Sequence, residues 1–258
     1  MTPRPRLAVI QTGRNCAAWA ARSVTSLCTQ TDPPDAHVIV DDASDDGTDR
    51  AIGDALFAHG AAVVGIRNPA RYGALQNIQT AVEVLRPDPD DILVTVDLDD
   101  WLTRPHVLTR VRQVYRERPE TQLTFGGFVV ASTGEDGWTS PYPAPIMDTK
   151  AYRLAEFRAS HLRTFRARLW QAIRPADLVD PTTGLPWAMS WDCAMMFPML
   201  EMCRPDQIVS LHGEKVYAWN DANPLSDHRL DQREQFACAD RIRALPRYDT
   251  LPELRRSA

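Results

Sequence analysis

Two groups of carboxylates stand out in the amino-acid sequence. The stretch Asp41–Asp49 (DDASDDGTD) holds five aspartates in nine positions, and Asp97, Asp99 and Asp100 follow a short apolar run. Asp, Ser and Gly all favour turns, so a solvated turn is the simplest interpretation of the first group. A calcium loop of the EF-hand type is excluded, because its twelfth position requires a bidentate Glu and Gly53 stands there.

The segments around these carboxylates predict a parallel α/β sheet. Short apolar runs at positions 7–12, 37–42, 61–66, 91–100 and 122–132 predict buried strands, and segments with helical periodicity lie between them. Strands that alternate with helices in this way indicate a mostly parallel, Rossmann-like sheet flanked by helices on both faces.

After residue 132 the pattern becomes irregular. We expect one domain over residues 1–258, with a regular half at about 1–132 and an irregular half at about 133–258. In the second half the sequence pattern predicts a loop, then a segment at 161–173 that leads into a helix, and an apolar helix at 191–203. It also predicts a hairpin at 208–220 and an amphipathic helix at 229–245.

Both acidic groups fall at the carboxyl ends of predicted strands, where open α/β sheets bind their ligands. Residues i and i+2 of a strand share a face, so Asp97 and Asp99 point the same way while Leu98 enters the core. Converging carboxylates repel each other unless a cation lies between them. Mg²⁺ and Mn²⁺ suit this position, because they take oxygen ligands and share them with phosphates. The pattern therefore predicts a divalent metal and a nucleotide-diphosphate ligand.

The composition narrows the class of protein. The chain has 258 residues, 44% of them hydrophobic and 24% charged, with a formal net charge of −5. This balance gives no electrostatic reason to expect a nucleic-acid partner. No apolar run approaches the roughly 20 residues of a membrane span. The five cysteines form no C-x-x-C pair, which is typical of reduced thiols in a cytoplasm. We expect a cytoplasmic protein, and a peripheral place at a membrane stays open.

The order of motifs resembles glycosyltransferase family two. A strand and helix, the VDDASDDGT turn, the N-x-x-x-x-G-A-x-x-N segment from Asn68 and the DLDD strand end follow one another between Leu7 and about Leu102. A looser likeness reaches the N-x-x-N-P-L-S-D segment from Asn220. The resemblance implies a GT-A fold, with a nucleotide-sugar-binding half before an acceptor-binding, catalytic half. It also implies metal-dependent, inverting transfer from a nucleotide-diphosphate sugar, with a UDP-sugar favoured, to an acceptor hydroxyl.

The resemblance further implies which residues bind the nucleotide. Asp41 and Asp42 would contact the base, since a carboxylate accepts the N3–H of uracil. Thr12 would offer a backbone contact to the base. Arg71 would reach the base or a phosphate, with a surface arginine as an equal alternative. Gly73 would let the backbone approach the nucleoside closely.

The same resemblance implies the metal and diphosphate ligands. Asp99 would hold the metal, and Asp97 would bind either the metal or the ribose. His228 would serve as a third metal ligand, unless it is an ordinary loop residue. His161 and Arg163 would contact the donor or the acceptor.

The inverting reaction needs a base, because a hydroxyl is a poor nucleophile at neutral pH. In the family this base is an Asp at the start of a helix, which corresponds to Asp192. A helix N-cap is the alternative role for Asp192. Glu201 is the rival acid, and helical periodicity puts it on roughly the opposite face of the same helix.

Two other functions stay open. A sugar nucleotidyltransferase would need a Gly-rich loop with Lys or Arg after the first strand, and QTGRNCAAW has a single Gly. A non-catalytic nucleotide-sugar-binding protein would lose the metal pair or the base, and both are present here. The sequence names neither the sugar nor the acceptor.

Overall fold

The structure, a computed structural model, describes residues 4–225 and 231–252. The central layer is a sheet whose strands come from both halves of the chain. The strands are β1 (Leu7–Gly13), β2 (Ala36–Asp41), β3 (Val64–Arg67), β4 (Ile92–Asp97), β5 (Trp101–Leu102), β6 (Leu123–Phe125), β7 (Phe128–Val130), β8 (Arg163–Arg166), β9 (Ile208–Ser210) and β10 (Tyr217–Trp219). The helices are α1 (Ala17–Cys28), α2 (Thr48–His59), α3 (Ala74–Leu85), α4 (Val107–Glu117), α5 (Ala144–Asp148), α6 (Ala167–Gln171), α7 (Trp191–Met202) and α8 (Gln232–Arg243).

The described strands form a seven-stranded sheet in the order β3-β2-β1-β4-β8-β6-β9 and a three-stranded sheet in the order β5-β10-β7. In the large sheet β3, β2, β1 and β4 pair in parallel, as do β6 and β9. Only β8 runs antiparallel to its neighbours there, β4 and β6. The predicted α/β class with a mostly parallel sheet is confirmed.

Both faces of the large sheet are covered, which explains the unbroken apolar runs of its central strands. Leu7 and Val9 point to one face and pack with Val111 of α4. Ala8 and Ile10 point to the other face and join the core formed with α3 and α7. All four strand residues are fully buried.

The predicted fifth strand divides into two. Gly126 and Gly127 have φ of 88° and 81°, in the region that favours glycine. The chain turns there, so that β6 stays in the large sheet while β7 joins the small one. The predicted hairpin at 208–220 is wrong for a related reason, because β9 and β10 belong to different sheets.

Strand β8 lies in the segment predicted to lead into a helix. The segment after His161 is extended over Arg163–Arg166, and helix begins only at Ala167. Strand β8 lies between β4 and β6, and hydrogen bonds from these two partners stabilise the extended form of an arginine-rich segment. Among the described residues, no helix combines the length and the apolar character that crossing a bilayer requires.

Candidate active site

The carboxyl ends of β2, β1 and β4 form one edge of the sheet. Asp41 of β2 lies opposite Gly13 of β1, and Thr12 of β1 lies opposite Asp97 of β4. Neighbouring strands are about 4.8 Å apart, so the backbones of Asp41 and Asp97 are about 10 Å apart with buried Thr12 between them. The sheet therefore brings the two acidic groups together, as predicted.

Glycine is required at position 13. A Cβ atom there would lie 2.5 Å from Cβ of Leu98, in the turn that follows β4. The sequence reasoning missed Gly13, because its role depends on a turn more than eighty residues further along the chain. Its small size lets the turn after β4 close over the end of β1.

Asp41 offers a buried acceptor. Its Oδ1 accepts the backbone N–H of Ser44 at 3.1 Å. Its Oδ2 is buried and has no hydrogen-bond partner among the described residues, with Nε of Arg67 3.5 Å away. A cavity of about 510 Å³ is lined by Ala43, Ser44, Arg67, Asn68 and Pro69, which include two residues that contact the Asp41 carboxylate, Ser44 and Arg67.

Asp42 is already engaged by the turn before α3. Its Oδ1 accepts the side-chain amide of Asn68 and the backbone N–H of Tyr72, and its Oδ2 accepts the N–H of Gly73, each at 2.8 Å. Gly73 has φ of 89°, which favours glycine and points its N–H at Asp42. Of the two predicted base contacts, Asp41 is therefore the one with an oxygen that accepts no hydrogen bond from the described residues, although Arg67 forms an ion pair with it. Arg71 is exposed on this turn.

The prediction that Asp97 and Asp99 are residues i and i+2 of one strand, and therefore share a face, is wrong. Strand β4 ends at Asp97, and the N–H of Asp100 donates to the carbonyl of Asp97 to close a turn. Asp99 therefore lies in a turn rather than two positions along a strand, and its Oδ2 accepts the side-chain amide of Asn223 at 2.7 Å. Leu98 is fully buried, as expected.

Side chains of Asp97, Asp100 and His161 converge instead. One ligand atom from each lies within 4.8 Å of the others, and we call these three residues the acidic cluster. Carboxylate oxygens and an imidazole nitrogen are a donor set that Mn²⁺ or Mg²⁺ accepts. Burial, and then the charge of Arg163, lower the pKa of His161 well below its usual range, which keeps the imidazole neutral as a metal ligand must be. These residues fit a divalent ion.

Tyr217 organises the cluster from the small sheet. Its hydroxyl donates to Oδ2 of Asp100 at 2.7 Å and accepts the N–H of Asp97 at 3.1 Å. The N–H of Asn220 donates to the other oxygen of Asp100 at 2.7 Å. Burial, followed by the charges of Asp99 and Asp97, raises the pKa of Asp100 well above its usual value. Burial likewise raises the pKa of Asp99. A nearby cation would relieve this crowding of carboxylates.

His161 and Arg163 come to the same edge because β8 runs antiparallel to β4. Nε2 of His161 is 3.9 Å from Oδ2 of Asp97. The Arg163 guanidinium lies 3.3 and 3.4 Å from the two imidazole nitrogens, only one of which can accept a hydrogen bond from it, and donates to Oδ2 of Asp192 at 3.0 Å. A continuous chain of polar contacts therefore links Asp97 to Asp192, the predicted base.

Asp192 lies in the first turn of α7 with its side chain 24% exposed. The N-cap of this helix is Ser190, so Asp192 does not have the alternative role of N-cap. The rival Glu201 is fully buried and points away into the core, where Arg153 donates to it at 2.7 and 3.0 Å. The backbone N–H of Tyr248 also donates to Glu201, at 3.1 Å.

Several residues of the site were missed by sequence reasoning. Asp100 belongs to the DLDD motif and Asn223 to the N-x-x-N-P-L-S-D motif, so the motifs themselves were a sequence signal for both residues. Arg67 ends β3 and Asn68 directly follows it, a position that the strand pattern also marks. Tyr217 had no sequence signal, because its role follows from the fold alone. The predicted metal ligand His228 lies outside the described residues.

Comparison with known proteins identifies the family. The sequence matches the family described as "Glycosyl transferase family 2" over residues 9–175, which is more than half of the chain. No curated protein sequence shows a significant match.

The fold resembles solved glycosyltransferases. One is *Staphylococcus aureus* TarS 1–349 in complex with UDP-GlcNAc, with TM-score 0.62, 13% identity, and coverage of 90% of this chain and 64% of that one. A mannosyltransferase from *Pyrobaculum calidifontis* in complex with GDP-Man and Mn²⁺ has TM-score 0.56, 20% identity, and coverage of 84% and 57%. A glucosyl-3-phosphoglycerate synthase from *Mycobacterium tuberculosis* with Mn²⁺, UDP and glucosyl-3-phosphoglycerate has TM-score 0.59, 15% identity, and coverage of 94% and 81%.

The comparisons identify the fold and the family. The chain spans 37% of one TarS structure and less than two thirds of the TarS 1–349 structures. The neighbours share a fold with this chain at low identity, which confirms the predicted GT-A architecture. The family match, which runs from β1 past β8, covers the described strands except β9 and β10. The chain therefore belongs to glycosyl transferase family 2.

Proposed function

We propose that the protein transfers a sugar from a UDP-sugar to an acceptor hydroxyl, with a divalent metal and with inversion at the anomeric carbon. One observation carries the proposal: the Asp41 oxygen that has no hydrogen-bond partner among the described residues and the acidic cluster lie at the same edge of the sheet, two strands apart. That separation suits a ligand with a base at one end and a diphosphate at the other.

Asp41 supports uracil as the base. Uracil offers one imide N–H, which matches the single Asp41 oxygen that lacks a partner among the described residues. Guanine offers two adjacent donors, and the second Asp41 oxygen already accepts from Ser44. The solved neighbours include complexes with UDP-GlcNAc and with GDP-Man, so the choice of base rests on this contact.

The acidic cluster supports a metal, and two of the neighbours were crystallised with Mn²⁺. Asp97, Asp100 and His161 would hold the ion, with Asp99 beside them. A bound Mn²⁺ or Mg²⁺ supplies positive charge that neutralises the diphosphate as it leaves. Arg163 adds a buried cation next to the cluster.

Asp192 acts as the general base in this proposal. Its carboxylate takes the proton of the acceptor hydroxyl while that oxygen forms a bond to the anomeric carbon. The bond from the anomeric carbon to the diphosphate oxygen breaks on the opposite face, so the configuration inverts. Arg163 holds the Asp192 carboxylate through a 3.0 Å hydrogen bond, which orients it relative to His161 and Asp97.

The assignment of nucleotide-sugar binding to the first half of the chain, and of acceptor binding and catalysis to the second half, is part of this proposal. Residues before about 132 supply Asp41 and Asp97, and residues after it supply His161, Arg163 and Asp192. A cytoplasmic location, a peripheral membrane association and the lack of a nucleic-acid partner likewise stay predictions.

A screen for nucleotide release tests the function. Purified protein is incubated with UDP-, GDP- and dTDP-sugars in Mn²⁺, Mg²⁺ or EDTA, and free nucleotide diphosphate is measured. We expect release from a UDP-sugar that EDTA abolishes.

NMR of the transferred sugar then reports the anomeric configuration, and retention would contradict the inverting mechanism. Consumption of a nucleoside triphosphate with release of pyrophosphate would instead support a sugar nucleotidyltransferase. Tight binding of a UDP-sugar with no turnover would support a non-catalytic binding protein.

A further inference from the structure

Trp138 is a large aromatic residue that remains 54% exposed beside the candidate active site. It lies in the loop between β7 and α5. Its ring packs edge-on against Phe128 at 4.8 Å and against Trp219 at 5.7 Å, with interplanar angles of 80° and 82°. The indole therefore contacts two aromatic rings, while half of its surface is exposed to solvent.

The loop holds Trp138 in place by backbone contacts. The N–H of Gly137 donates to the carbonyl of Phe128 at 2.9 Å, and the N–H of Val130 donates to the carbonyl of Glu135 at 2.9 Å. A Cβ atom on Gly137 would lie 2.1 Å from the Phe128 ring, so only glycine lets the loop approach so closely. An exposed aromatic on a fixed backbone loses little conformational entropy when it binds a ligand.

Trp138 and His161 lie on the same face of the small sheet. Phe128 of β7 pairs with Tyr217 of β10, and Trp219 is two residues beyond Tyr217, so the three rings share that face. His161 stacks on Tyr217 and meets the edge of Phe128 at 6.1 Å. Phe128 therefore contacts both His161 of the acidic cluster and the solvent-exposed Trp138.

The strand order indicates which substrate binds on the side of the site where Trp138 lies. The proposed base contact at Asp41 is on β2, and the acidic cluster begins at Asp97 on β4, two strands further along the sheet. A donor that runs from Asp41 to Asp97 directs its sugar toward β8 and the small sheet. Trp138 is linked to His161 through Phe128, which contacts both residues. In the proposed function the acceptor approaches the sugar from this side.

We propose that Trp138 is a stacking platform for an acceptor that presents a pyranose ring, so that the acceptor is a carbohydrate. This inference rests on the proposed function and adds the class of its acceptor. One face of a pyranose carries C–H groups that pack flat on an indole, while its hydroxyls stay hydrated around the rim. A flat, rigid aromatic with an exposed face is suited to such a ligand.

Donor hydrolysis separates the acceptor role from the donor role. Nucleotide release from the preferred donor is measured with water alone and with a panel of methyl pyranosides, namely the gluco, galacto, manno and N-acetylglucosamine forms. We expect at least one glycoside to stimulate release by the wild type. Trp138→Ala should raise the KM for that glycoside about tenfold, with hydrolysis in water unchanged. Trp138→Phe should keep part of the stimulation.

The matched control is Phe57→Ala. Phe57 is 91% exposed near the end of α2 that lies far from the Asp41 turn, and its loss should change neither reaction. An unchanged KM in Trp138→Ala would overturn the inference. So would stimulation by a short-chain lipid alcohol but by no glycoside, or a loss of water hydrolysis in both Trp138 variants.

A binding measurement keeps the inference testable if no donor is hydrolysed, a result that would count against the proposed function alone. Saturation-transfer NMR then records contact between the same methyl pyranosides and the protein. Signals that the wild type shows and Trp138→Ala loses would support the platform. Equal signals in both proteins, or none in the wild type, would overturn it.

Discussion

The imidazole of His161 stacks on the phenol ring of Tyr217, with ring centroids 4.7 Å apart and planes inclined by 7°. Tyr217 also joins the N–H of Asp97 to the carboxylate of Asp100 through its hydroxyl. One residue of the small sheet thus touches every member of the acidic cluster. The geometry of the cluster depends on how the two sheets are held against each other.

Tyr217→Phe should destabilise the protein by about 2 kcal/mol, because it removes a hydrogen bond to a buried carboxylate and leaves the Asp97 N–H unpaired. Urea unfolding followed by circular dichroism measures the change. Tyr115→Phe is the matched control, since the Tyr115 hydroxyl is also buried but, among the residues that the structure describes, bonds the neutral hydroxyl of Thr164 at 2.9 Å. Its cost should be about 1 kcal/mol. Equal losses in the two variants would contradict a special role for Tyr217.

Removal of the metal should weaken UDP binding about tenfold or more, because carboxylates then face the diphosphate without a cation. Calorimetry of UDP in Mn²⁺ and in EDTA measures this. Asp97→Asn and Asp99→Asn should each reduce the gain that Mn²⁺ gives. Asp54→Asn removes an exposed carboxylate on α2 and should change nothing. Equal UDP affinity in Mn²⁺ and EDTA would exclude a metal-bridged donor site.

UDP should stabilise the protein against heat more than GDP does at equal concentration, because one Asp41 oxygen has no hydrogen-bond partner among the described residues and could accept from the uracil imide. Asp41→Ala should remove most of this difference, at a loss of about 1–3 kcal/mol of UDP binding free energy. Asp45→Ala changes an exposed carboxylate of the same turn and serves as the control. A larger thermal shift with GDP would show that the base pocket has another specificity. A thymidine nucleotide presents the same imide and should resemble UDP.

Asp192→Asn should lower turnover by about 10²–10⁴-fold, because an amide cannot take the proton of the acceptor. The affinities for donor and metal should be nearly unchanged, since Asn can still accept a hydrogen bond from Arg163. Turnover with the acceptor, or donor hydrolysis with water in its place, supplies the measurement. A silent variant would move the base elsewhere.

Glu201→Gln is the companion substitution to Asp192→Asn. It leaves the buried Arg153 guanidinium without its counter-charge, so it should cost about 3–5 kcal/mol of stability. The folded fraction of this variant should keep its turnover. Loss of turnover in a stable Glu201→Gln protein would contradict the inward orientation of Glu201.

Stability should fall as the pH drops from about 6.5 to 4, in part because of His37. Burial lowers the pKa of His37 from 6.5 to about 4, and its Nε2 lies 2.8 Å from Oε1 of Gln11. Between these values the unfolded chain binds a proton that the folded chain does not, so acid favours unfolding by up to about 3 kcal/mol. His37→Gln stays neutral and should flatten the acid limb of stability against pH. The same substitution at exposed His59 should leave the slope unchanged.

The amino-acid sequence by itself determined the regular part of the fold and the position of the site. Apolar runs and helical periodicity are properties of neighbouring residues, so β1 to β4 and α1 to α4 follow from them closely. Placing Asp41 and Asp97 at strand ends needed only the rule that parallel strands finish at the same edge. The order of motifs added the family, and the match over residues 9–175 agrees with it.

Tertiary structure alone decided which side chains meet. Strand β8 is extended because β4 and β6 bond it on either side, and no local pattern in an arginine-rich segment encodes those partners. Glu201 and Asp192 share one helix, but packing against Arg153 and against Arg163 sends one to the core and the other to the site. Tyr217 reaches the acidic cluster across more than a hundred residues of chain. Such contacts are selected by the free energy of burying and pairing distant groups, which sequence spacing does not contain.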